Sequence, residues 1–145
     1  MNTDTLQADL LLAHIIRIAA VGTLLILITL CYFYAAEWQL HINEQERIVY
    51  RGVFYLLAII SFPIMTFIRH IMLHINTHKS AKFRYLLTII VMMKFSASIS
   101  LYGFFMVYLG DEMNTVYIFS GLAILGMHLH KANKEEYLQL IDQQA

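Results

Sequence analysis

The chain has 145 residues, no formal net charge at pH 7, 59% hydrophobic and 14% charged residues, and a mean hydropathy of +0.62. Soluble domains carry about a quarter charged residues, so this chain lacks the polar side chains to cover a water-facing surface. Its neutrality excludes a bulk attraction to nucleic acid, and the lone Cys31 excludes an intramolecular disulfide and a multi-cysteine zinc site.

The apolar residues come in blocks long enough for a hydrocarbon core, which takes roughly 17–25 helical residues. Lipid offers the backbone no hydrogen bonds, so such blocks must be helical. The first is expected near 12–36, with no Asp, Glu, Lys or Arg between Arg17 and Glu37. It does not read as a cleaved signal peptide: Asp4 and Asp9 stand where a basic leader belongs, and Ala35-Ala36 has Tyr34 at the −3 position. Residues 37–50 read as a loop along the membrane surface, Trp38, Leu40 and Ile42 alternating with polar residues. A second span is expected near 51–76, with Pro63 inside it freeing the carbonyl of Ile59. The third, near 82–109, is interrupted by Lys94, and the fourth runs near 113–130. Asn133 and Glu136 then form a capping-box-like start for a short amphipathic helix at 134–143, with Tyr137, Leu138 and Ile141 on one face.

This predicts an all-α integral membrane protein: one transmembrane domain over 1–145, a four-transmembrane-helix antiparallel bundle. Arg69, Lys79, Lys82, Arg84, Lys131 and Lys134 cluster on one side and Arg47 and Arg51 stand opposite, so the positive-inside rule puts both termini in the cytoplasm. Tyr32, Tyr34, Trp38, Tyr50, Tyr55, Tyr102, Tyr108 and Tyr117 fall toward the outer helix ends, where amphipathic rings suit the headgroup boundary. Small residues should let helices approach closely in lipid: Ala19 with Thr23, Ser96 with Ser100 and Gly103, and Gly121 with Gly126.

Histidine is the residue type with the clearest chemical pattern. His70, His74 and His78 share one helix face, a spacing at which two imidazoles can hold one transition metal, and His14 with His128 could complete a metal or haem site across the bundle. The same stripe, with Arg69, Lys79, Lys82 and Arg84, also suits anionic lipid headgroups. Membrane hydroxylases and desaturases combine H-x-x-x-H with H-x-x-H-H boxes, and this chain has the first without the second. His14, Tyr50-Arg51-Gly52 and Lys82 or Lys94 are superficially similar to the small haem-dependent protoporphyrinogen oxidases, though the flanking pattern does not carry over. Lys94 marks a second candidate, because an intramembrane charge is costly; Ser61, Ser98 and the carbonyl freed by Pro63 are its potential partners. Small multidrug exporters are of comparable length, but the glutamate they use in helix 1 has no counterpart here.

No acid pair, nucleophile–base pair or glycine-rich phosphate loop stands out. The expectation is a non-enzymatic, multi-pass protein of the bacterial cytoplasmic (inner) membrane, an accessory, assembly or envelope-homeostasis factor. It would work through helix–helix contacts with a membrane-protein partner or a second copy, surrounded by membrane lipids. A metal- or haem-binding protein and a small transporter built on Lys94 remain the alternatives.

Overall fold

A computed structural model of the chain describes residues 3–40, 42–74 and 80–142. It is all-helical: α1 spans Thr3–Trp38, α2 Glu44–His74, α3 Ala81–Tyr108, α4 Met113–Leu129 and α5 Lys134–Asp142, with no strand among the described residues. α1, α2 and α3 are long and apolar enough to cross a membrane; α4 is apolar and 17 residues long.

The first two helices start well before their apolar blocks, whereas α3 and α4 match theirs to within a residue. α1 starts at Thr3 rather than near residue 12, and α2 at Glu44 rather than near 51. An apolar run marks only the part of a helix that lipid demands, whereas the backbone ladder continues through polar residues. Glu44 and Glu46 occupy the first turn of α2, where a carboxylate favours the helix dipole. The expected surface loop over 37–50 is therefore mostly helix. Leu40 N–H instead donates to the Tyr108 carbonyl at 2.6 Å, joining the end of α1 to the end of α3.

α3 is the hub, packed against α1, α2, α4 and α5. Its tightest neighbour is α4. A Cβ on Gly103 would lie 2.9 Å from the Val116 Cα, so the two backbones nearly touch, and one on Gly126 would lie 2.9 Å from Ser96 Oγ. Gly121 faces open space. Met65 of α2 completes this layer, accepting a hydrogen bond from Ser96 Oγ at its sulfur, 3.4 Å away.

One turn joins α3 to α4. Gly110 has φ 87°, a left-handed conformation that glycine adopts without steric cost. Its N–H donates to the Val107 carbonyl at 3.0 Å and the Asp111 N–H to the Met106 carbonyl at 2.9 Å, which closes the helix end as a Schellman motif. This aims the Asp111 carboxylate inward, where it accepts both arms of Arg51 and the Thr115 hydroxyl at 2.8 Å. Arg47 Nη1 donates to the Gly110 carbonyl at 2.8 Å. Burial raises the Asp111 pKa, but the Arg51 and Thr115 hydrogen bonds outweigh it and hold the carboxyl below its ordinary value.

Gly103→Ala is expected to lower the unfolding free energy in mild detergent by about 1–3 kcal/mol, because the new methyl meets backbone. Gly121→Ala should stay within about 0.5 kcal/mol of the parent; circular dichroism on denaturation compares them. A lowered folded-state pKa means that the Asp111 contribution is present above the unfolded carboxyl pKa, near 4, and fades as pH falls through the folded value. Asp111→Asn should therefore cost about 1–3 kcal/mol near neutrality, and the gap from the parent should narrow below about pH 4.

Candidate functional site

Polar side chains gather at the opposite end of α3, where α1 and α3 begin, α2 and α4 end, and α5 folds back. Asn133 starts α5: its Oδ1 accepts the Glu135 N–H at 3.0 Å, and its carbonyl accepts the Tyr137 N–H at 3.2 Å. Glu135 and Glu136 occupy the first turn, matching the helix dipole. One face of α5, Tyr137 with Leu140, is buried and Ile141 is half-buried, whereas Leu138 points outward. The expected face of Tyr137, Leu138 and Ile141 is thus rotated, and the helix lies on the bundle's own end.

Two tyrosines make the seal. Tyr137 stacks on Tyr85 with ring centroids 4.7 Å apart, and its hydroxyl donates to Asp9 Oδ2 at 2.8 Å. The Tyr85 hydroxyl donates to the Asn133 carbonyl at 2.9 Å and accepts the Asn133 N–H at 2.6 Å. Lys82 Nζ reaches Asp9 Oδ1 at 2.7 Å, but the lysine is 60% exposed, so water screens that pair and the buried phenol is the firmer partner. Burial, then the Asp9 carboxylate, push the Tyr137 pKa upward, which keeps the phenol protonated and donating. Beside it Arg69 pairs with Glu136 through two hydrogen bonds and donates to the Lys131 carbonyl at 3.3 Å.

The cations assigned to lipid in the sequence thus hold internal partners: Arg69 on Glu136, Lys82 on Asp9, and Arg84, 3% exposed, on the Leu73 carbonyl at 2.9 Å. Lys79 and His78 lie outside the described residues. His70 and His74 are exposed with ring centroids 4.3 Å apart, and His74 Nδ1 sits 2.8 Å from the His70 carbonyl oxygen. Among the described residues no group of three or more His, Cys, Asp or Glu side chains is close enough to hold a metal. His14 and His128, both exposed, do not join the pair. Lys94 opens into a groove between α1 and α3 with Ala19, Thr23 and Ser100. The Ser61 and Ser98 hydroxyls donate within their own helices, to the Leu57 carbonyl at 2.8 Å and the Phe95 carbonyl at 2.7 Å, and neither is hydrogen-bonded to Lys94.

Pro63 lines a different feature, an open groove of 740 Å³ between α2 and the α4–α5 connection. Phe62, Thr66 and Leu129 join it on the apolar side; Arg69, His130, Lys131 and Lys134 lie on the polar side. The sequence offers Asp9 and Tyr137 in other roles, an acid against a leader and a face of the last helix, and does not single out Tyr85 or bring the three together. Their signal was faint but present: Tyr85 and Tyr137 are the two tyrosines outside the outer-end set.

Comparison with family models, with curated proteins and with solved structures gives no match.

Removing the Tyr137 hydroxyl in Tyr137→Phe should lower the local opening free energy of α5 by about 1 kcal/mol, and Tyr137→Ala by about 3 kcal/mol or more. Amide hydrogen exchange across residues 134–142 reads both, with the α3–α4 amides as internal reference.

Proposed function

We propose that this chain is a four-span protein of the bacterial inner membrane, both termini cytoplasmic, that acts without catalysis as an accessory or assembly factor and offers α1 to a partner helix. The observation that carries this reading is the uneven burial of the spans. Along its membrane-length stretch α1 has 11% of its positions buried, against 44% for α3. A single seam, including Ala13, Leu24 and Cys31, meets the rest of the protein. The other faces carry Ile18, Leu25, Ile26 and Phe33, all more than half exposed, and Gly22 has open space where a Cβ would be. Such small-and-large relief suits close helix contact in lipid. α4 supports the fourth span: its 17 residues sit at the short end of the spanning range, and it lies packed along α3.

The second reading is metal binding at His70 and His74, favoured by their 4.3 Å ring separation. Near-stoichiometric bound metal that disappears in the His70→Ala/His74→Ala variant would put it first.

Photo-crosslinking residues placed at Ile18 and Leu25, with Ile59 on α2 as the exposed control, test the leading reading in intact cells. A discrete heavier adduct from the α1 positions alone is expected, its mass distinguishing a second copy from another protein. Monomer at every position would overturn it.

A further inference from the structure

The groove beside Pro63 is built of two unlike halves. Phe62, Pro63 and Thr66, about two to three turns before the end of α2, and Leu129, the last residue of α4, give it an apolar wall. Its other half is the connection into α5, which supplies Lys131 and Lys134. Neither lysine has an acidic partner among the described residues; Arg69 at the junction already answers Glu136, the one acid in the lining. Lys134 carries a further cost where it stands: a cation in the first turn of α5 opposes the dipole that Glu135 and Glu136 favour, so an anion placed there gains from both. His130 adds a polar group of the same kind. It is 6% exposed, lines the groove, and its ring makes no hydrogen bond with any described residue.

We propose that this groove holds one anionic phospholipid of the adjoining leaflet, its phosphate between Lys131 and Lys134 with the His130 ring as an additional hydrogen-bond partner, and its acyl chain along Phe62 and Leu129. The charge and the apolar wall together select this occupant. A free phosphate would leave the wall wet, and a zwitterionic lipid would bring a choline or ethanolamine cation to two lysines. Arg69 and Glu136 line the same groove, so the same lipid also bears on the α5 seal.

Native mass spectrometry tests this on the full chain released from nanodiscs of phosphatidylcholine with increasing phosphatidylglycerol. One retained phosphatidylglycerol per chain is expected, with no retained phosphatidylcholine. Lys131→Gln/Lys134→Gln should weaken retention roughly tenfold to thirtyfold, while Lys94→Gln, an exposed lysine elsewhere, leaves it unchanged. Both lysines are solvent-facing, and an unaltered helical circular dichroism spectrum establishes that the double variant is folded. Retention equal to the parent in that variant, or equal retention of phosphatidylcholine, overturns the proposal. So does loss of the bound lipid on adding millimolar inorganic phosphate at constant ionic strength, which would make the site one for phosphate alone.

Discussion

The approach of α3 to α4 sets the positions of the other helices. In lipid there is no hydrophobic drive to press helices together, so contact must come from surfaces that fit. Gly103 against Val116 and Gly126 against Ser96 bring the backbones close enough for dispersion contacts along the whole of α4. Because α3 is fixed on that side, its remaining faces are left for α1 and α2, which pack on it more than on anything else. Met65 reaches from α2 into the Ser96–Gly126 layer, so the second helix is registered against the same contact.

The two ends of this core are closed by different chemistry. At one, a left-handed glycine turns a carboxylate inward onto Arg51, and the connection between α3 and α4 becomes the anchor for α2. At the other, aromatic stacking and a phenol–carboxylate bond hold α5 over the first turns of α1 and α3. The first depends on a nearly dry carboxylate, 1% exposed; the second on burial of two rings, with the charged pairs at its margin contributing less.

The membrane class of the chain was legible because the constraint behind it is one-dimensional: charges punctuate the sequence and apolar runs lie between them. Helix ends were less so, since α1 and α2 extend through residues whose polarity says nothing about hydrogen bonding in the backbone. Gly103 and Gly126 stood out as small residues, yet only the three-dimensional packing separates them from Gly121, which faces open space. The polar candidates failed to predict their partners for a related reason. Sequence spacing reports neighbours on one helix, and it did bring His70 beside His74. It carries no information on contacts such as Asp9 with Tyr137 or Arg51 with Asp111, where the two residues belong to distant segments. Asp9 serves in the sequence only to argue against a leader and Asp111 carries no signal there, yet each is an acceptor buried at a helix junction.

The bond between Asp9 and Tyr137 has a bearing on how the protein is made. It spans 128 positions of sequence, so its acceptor enters the membrane with the first helix while its donor is still untranslated. Through synthesis of α2 the carboxylate has neither partner, and from α3 onward it has only the solvent-screened Lys82 to meet. The seal closes only after α5 leaves the ribosome, and until then the acid at this helix junction is without its phenol.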